Sequence, residues 1–188
     1  MEYLNGKTWA EITREERVFC AELYKELKKN KEPFLTMCGL SIDKEYEIGF
    51  EVCFYRDIIK EYTEKYKEEF KMEVFEFSTK RTFDLVLFSD DEIHIFEAKC
   101  QQKFRNDQLK NIEEDTDKIN RLYKVINAKK NLTLKIPEVK IWAIVSSEYK
   151  PKKEIEKHFK ENIIYWNDIY KKYGNNKLFN RADTIFNK

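Results

Sequence analysis

The spacing of apolar positions changes several times along the chain, and each change marks an element. Phe19, Leu23 and Leu27 recur at helical spacing behind Thr13-Arg14-Glu15-Glu16, which has capping-box spacing, and predict a helix over about 13–29. A looser stretch follows over 33–46. Ile48, Val52, Tyr55, Ile58, Ile59 and Tyr62 share one helical face and predict a second helix over about 48–70. Three extended runs rich in β-branched and aromatic residues come next, at 72–77, 81–88 and 93–100. Leu109, Ile112, Ile119, Tyr123 and Ile126 lie along one seam of a long helix over 106–128, and 139–146 is a strongly apolar strand. Pro151 opens a short basic helix to about 160, a short strand covers 163–166, and a polar helical tail closes the chain.

Connection lengths limit the topology. Short turns make the middle strands antiparallel neighbours, whereas the 106–128 helix is long enough to cross over and leave the 139–146 strand parallel to an earlier one. The expected fold is α/β, with a mixed (α+β) sheet and helices on its faces. It is read as one domain over 1–188, with a core at about 48–146, an extra N-terminal helix at 13–29 and a basic extension at 147–188. No internal repeat or low-complexity segment is visible.

The hairpin over 81–100 concentrates the chemistry. A symmetric turn centred on Asp90-Asp91 pairs Ser89 with Glu92, Phe88 with Ile93 and therefore Asp84 with Glu97. Two carboxylates then face each other on one side of the sheet, with Cβ atoms ~4.5–5.5 Å apart. Alternation puts Lys99 on the same face, diagonal to Asp84, and Gln101 beyond it. Opposed like charges destabilise a sheet unless something compensates, and hard oxygen ligands at this separation suit magnesium or manganese. The plainer reading is a carboxylate pair neutralised by Lys99 and facing water. Apolar neighbours on both faces (Phe83, Leu85, Val86, Ile93, Ile95, Phe96) place these strands centrally, where a charge needs a partner.

Asp84, twelve intervening residues and Glu97-Ala98-Lys99 together resemble the signature of the PD-(D/E)XK nuclease superfamily, with Phe83 where proline is usual. The expected order helix-strand-strand-strand-helix-strand over about 48–146 is similar to that superfamily's restriction-endonuclease-like αβββαβ core. The resemblance implies Mg²⁺-dependent hydrolysis of nucleic-acid phosphodiesters, most simply of DNA, with Mn²⁺ as a substitute. It implies that Asp84 and Glu97 hold the cation with the Ala98 carbonyl. Lys99 then orients or activates water and offsets charge on the phosphate. Gln101 positions water or backbone, or is an ordinary strand-end polar residue. The family often adds a glutamate from the helix before the sheet. Glu51 fills that role on the predicted 48–70 helix, where it falls on the sheet-facing stripe; a salt bridge to a nearby Arg or Lys is the other explanation for it. Glu16 is held in reserve, because its capping-box position accounts for it.

Other residues read as structure: His94 as packed on the face opposite Glu97, His158, Asp115 and Asp117 on solvated helix faces, Trp142 and Trp166 as core strand residues. Nothing resembles a P-loop, a dinucleotide fingerprint or a nucleophile elbow. With 41% hydrophobic and 15% aromatic residues, the 188-residue chain is not expected to be disordered. Four dispersed cysteines and two histidines suit buried or free thiols in a reducing cytoplasm better than zinc ligation. Met1 to Ala10 has no apolar run behind a basic cluster and no stretch reaches membrane-spanning length, so neither a signal peptide nor a membrane partner is expected.

A formal net charge of +1 argues against a uniformly basic nucleic-acid binder. It conceals an asymmetry, however: residues 1–100 carry 16 basic and 23 acidic groups, and residues 101–188 carry 20 and 12. A polyanion partner fits that division. Lys150, Lys152, Lys153, Lys157 and Lys160 follow the 139–146 strand and are candidates to track a phosphate backbone, or simply a solvated lysine face. Cleaving both strands of a duplex needs two sites, which a homodimer would supply. Two alternatives complete the expectations: an inactive domain of the same fold that binds nucleic acid or protein, and a metal-free acid/base hydrolase built on Asp84 and Glu97.

Overall fold

The computed structural model describes residues 5–63, 77–78, 80–174 and 176–187. Its organising feature is the anticipated hairpin. β2 (Phe83–Phe88) and β3 (Glu92–Lys99) run antiparallel, with Leu85 opposite Phe96, Leu87 opposite His94 and Phe88 opposite Ile93. Ser89 N donates to the Glu92 carbonyl at 3.0 Å across the turn. The paired register ends at Leu85 and Phe96, one step before Asp84 and Glu97.

Three further strands extend the sheet to the order β1-β2-β3-β4-β5. β1 (Glu47–Val52) joins β2 antiparallel, while β4 (Glu138–Val145) and β5 (Ile163–Tyr165) are parallel to β3 and to each other. The crossover before β4 is α5 (Asn106–Lys130), the long helix the seam spacing predicted. The protein is thus a mixed α/β structure with a five-stranded mixed sheet and eight helices among the described residues.

Helices cover both faces. α2 (Glu16–Lys29), α3 (Glu32–Met37), α7 (Trp166–Lys172) and α8 (Lys177–Thr184) bury Phe19, Leu23, Phe34, Trp166, Ile169 and Phe179 against Leu85, Leu87, Phe96 and Ala98. On the other face α4 (Phe54–Thr63) and α5 pack Tyr55, Ile59, Ile119 and Ile126 against Val86, Ile93 and Ile95. α6 (Lys152–Phe159) continues this layer over Ala143 and Val145. A four-residue helix, α1 (Trp9–Ile12), precedes them.

Two expectations are corrected. Over residues 48–63 the helix predicted for 48–70 is instead β1 followed by α4, because Ile48, Phe50 and Val52 alternate as strand residues and helical spacing begins only at Phe54; the remainder of that prediction, 64–70, lies outside the described residues. Residues Ile48 and Val52 fit both periods, so the periodicity alone was ambiguous. The predicted strand at 72–77 lies outside the described residues except Phe77, which is buried against Tyr55. Second, the capping box belongs to α1, between Thr8 and Glu11, and not to Thr13 and Glu16. α2 opens at Glu16 with Glu15 as N-cap, which frees the Glu16 carboxylate for another use.

Candidate functional site

Asp84 enters from the start of β2 and is fixed by backbone: Ala98 N donates to its Oδ2 at 2.8 Å. Oδ1 takes no hydrogen bond among the described residues. Burial raises the Asp84 carboxyl; the Ala98 N–H and Lys99 oppose the rise, while Glu16 and Glu51 add to it. Lys99, at the end of β3, places Nζ 2.9 Å from Glu16 Oε1, and the other Glu16 oxygen accepts from Cys100 N at 3.0 Å. Burial works to lower the Lys99 ammonium's pKa, but Glu16, Asp84 and Glu97 outweigh it and raise it. Lys99 is therefore held as a cation and not as a base.

These side chains open onto one cleft of about 570 Å³. Asp84, Lys99, Glu16, Glu51 and Gln101 line it. Its rim is basic, with Arg14, Arg17, Lys103 and Arg105. Glu51 is on β1, not on a helix as expected, yet it reaches the same cleft. It sits at φ +53°, a costly backbone region for a residue with a side chain, and its carboxylate pairs with Arg17 at 2.9 Å. Gln101 Nε2 donates to the Arg14 carbonyl at 2.6 Å, tying the segment before α2 to the end of β3.

Glu97 behaves differently. It is 7% exposed, does not line the cleft, and accepts from Arg81 Nη2 at 2.8 Å. Burial raises its carboxyl against the pull of Arg81. Arg81 also binds Asp115 of α5 through Nε and Nη2, at 3.1 and 2.9 Å, and Tyr55 OH donates to the other Asp115 oxygen at 2.7 Å. Asp115, expected on a solvated face, is 2% exposed. The signal was present: Asp115 lies three residues after Ile112 and four before Ile119, on the buried seam, where a carboxylate needs a partner. Nothing in the sequence marked Arg81.

Donor chemistry here fits a hard divalent cation. Buried carboxylate oxygens on adjacent strands repel one another, and a cation relieves that repulsion. Their positions fit less closely, since no group of three or more His, Cys, Asp or Glu stands arranged around a metal position among the described residues. Lys150, Lys152, Lys153 and Lys157 are exposed and do not line the cleft. They follow β4, whose Val145 pairs with Lys99, so their segment leaves the sheet at the same end. His94 is packed as expected, and Trp142 and Trp166 are buried, although Trp166 opens α7 and is not in a strand.

Among the described residues no helix is long and apolar enough to cross a membrane. Comparison with protein-family models, with curated proteins and with solved structures finds no match to this chain.

Proposed function

We propose that the protein is a Mg²⁺-dependent nuclease of the PD-(D/E)XK type, hydrolysing phosphodiester bonds of nucleic acid, with DNA as the favoured substrate. The observation that carries the reading is the convergence of Asp84, Lys99 and Glu16 on one basic-rimmed cleft, with Glu97 two residues before Lys99 on β3. The element order is in keeping with it: α2, β1, β2, β3, α5 and β4 follow the restriction-endonuclease-like sequence, with α4 inserted between the first two strands.

Asp84, Glu97 and the Ala98 carbonyl are the groups to hold the cation. When bound, Mg²⁺ supplies Lewis-acid polarisation of a phosphoryl oxygen and acidifies water. The chain does the rest. Glu16 grips Lys99 so that its ammonium is fixed where negative charge grows on the phosphate, and that prior positioning is what makes the charge effective. The Ala98 N–H fixes one oxygen of Asp84 and so orients the other. Arg17, Lys103 and Arg105 on the rim suit the phosphates on either side of the one being cut.

One observation favours a second reading, an inactive nucleic-acid or protein binding module: Arg81 already neutralises Glu97. Incubating purified protein with plasmid, linear and single-stranded DNA and with RNA, in Mg²⁺ or Mn²⁺ with and without EDTA, separates the two. EDTA-sensitive cleavage is expected, reduced about 10²-fold or more in Asp84→Asn and Lys99→Ala, in line with the loss of one pre-positioned electrostatic group. No cleavage of any substrate, or wild-type rates in both variants, overturns the nuclease reading.

A further inference from the structure

The two carboxylates that share Arg81 are held unequally. Asp115 takes three hydrogen bonds, from Tyr55 OH and from Arg81 Nε and Nη2. Glu97 takes one, from Nη2, among the described residues. Arg81 stands between β3 and α5, 5.0 Å over the Phe83 ring, in a setting where all three charged groups are largely withdrawn from water. One guanidinium is divided between two buried carboxylates. If Glu97 leaves, Arg81 and Asp115 remain as a matched pair with Tyr55 completing it. If Asp115 leaves, Glu97 becomes the guanidinium's sole carboxylate.

We propose that Arg81 is a latch on Glu97: it holds Glu97 outside the cleft lining, and Asp115, oriented by Tyr55, retains the guanidinium when Glu97 turns to a divalent cation. The inference rests on the nuclease reading of the same site and accounts for the position of Glu97 behind the cleft wall. It makes Arg81 and Asp115 positioning residues that act through Glu97 and touch neither cation nor substrate. Physically, the exchange is favourable because Glu97 moves from a guanidinium shared with Asp115 to a divalent cation shared with Asp84, while Arg81 and Asp115 remain a matched pair.

The latch is tested by calorimetric binding of Mn²⁺ alone to the full chain, with thermal melts of the same samples. Asp115→Asn keeps the shape of the side chain but takes away the competing charge, so Arg81 is expected to grip Glu97 harder. The Mn²⁺ dissociation constant should rise about tenfold, within the range of couplings measured between neighbouring charged groups. A purely structural Asp115 lowers the melting temperature and leaves that constant unchanged, an outcome that overturns the latch. Arg81→Met provides the second arm. With Glu97 unlatched, Mn²⁺ should bind at least as tightly as to wild type and raise the melting temperature by more than it does there. Weaker Mn²⁺ binding by a folded Arg81→Met overturns the latch, because it shows that Arg81 delivers Glu97 instead of withholding it. If Asp84→Asn leaves Mn²⁺ binding intact, or the wild type binds none, the reading of the site falls and the latch with it.

Discussion

At the scale of single residues, the protein places its charges in chains of hydrogen bonds that fix their protonation. His94 is fully buried, with Nε2 2.9 Å from Glu92 Oε2 and Nδ1 accepting from Trp142 Nε1 at 3.2 Å. One nitrogen donates and the other accepts, which is the neutral tautomer. Burial lowers the His94 pKa, though Glu92 opposes it. Glu92 is itself partly buried, which favours its neutral form, but Lys44, Tyr46 and His94 hold its carboxyl down to about 2. Both folded-state values are depressed, so both groups contribute stability at neutral pH that is lost on acidification. For His94 the loss begins as pH falls through the unperturbed value of about 6.5. For Glu92 it begins near the usual carboxylate range of about 4 and continues down to about 2. Asp84 and Asp115, raised by burial, act in the opposite sense, so the informative quantity is the difference between variants. In melts between pH 7 and pH 5, His94→Gln is expected to start lower than wild type but to lose less stability over the interval. An identical slope would exclude His94 from the acid response.

At the scale of elements, β1 shows how close packing sets a local sequence. A Cβ built on Gly49 meets Val52 Cγ2 at 2.5 Å and Phe88 Cε2 at 3.2 Å. Val52 is β-branched and stiff, so it cannot swing clear. Gly49→Ala is therefore expected to cost about 1–3 kcal/mol in chemical denaturation, the range for overpacking. The double variant Gly49→Ala/Val52→Ala should recover part of that relative to the sum of the single changes. Strict additivity would mean that the clash is not the cause. The crowding matters to the site because Glu51 lies between Gly49 and Val52 on this strand, at positive φ, with its carboxylate in the cleft.

At the scale of the whole molecule, the C-terminal segment closes the structure around the site. Asp183 accepts from Ser147 N at 2.6 Å and Ser147 Oγ at 2.7 Å at the end of β4. Arg181 Nε donates to the Thr13 carbonyl and Asn187 N to the Gln101 carbonyl, at 3.2 and 3.0 Å. Through Arg181 and Thr13 the basic half of the chain meets the acidic half, and through Asn187 it ties down Gln101 of the cleft. That geometry ranks the basic residues. Lys103 and Arg105 line the cleft, whereas Lys152, Lys153 and Lys157 project from α6 outside it. In fluorescence-anisotropy binding to an oligonucleotide, Lys103→Ala/Arg105→Ala should weaken affinity more than Lys152→Ala/Lys153→Ala. It should also reduce the salt-dependence slope by roughly one for each phosphate that is no longer neutralised. A larger effect from the α6 pair would count against the proposed path of nucleic acid through the cleft.

Local pattern determined much of this protein. Alternation and turn symmetry in the 81–100 stretch were enough to set the hairpin register from Leu85 opposite Phe96 to Phe88 opposite Ile93, because strand period and hairpin register are short-range properties. The length of α5 was enough to make β4 parallel. The 48–63 stretch was not resolved by pattern, since Ile48 and Val52 satisfy both a helical and a strand period and only sheet pairing chooses between them. What tertiary structure alone decided was the partner of each charge. Glu16 went to Lys99, 83 residues away; Arg81 went to Glu97 and Asp115 together; Glu51 went to Arg17. Sequence spacing states which face a charged side chain occupies. Which opposite charge reaches it depends on how helices and strands distant in the chain are packed, and at this site that packing directs Glu97 to Arg81 and away from the cleft.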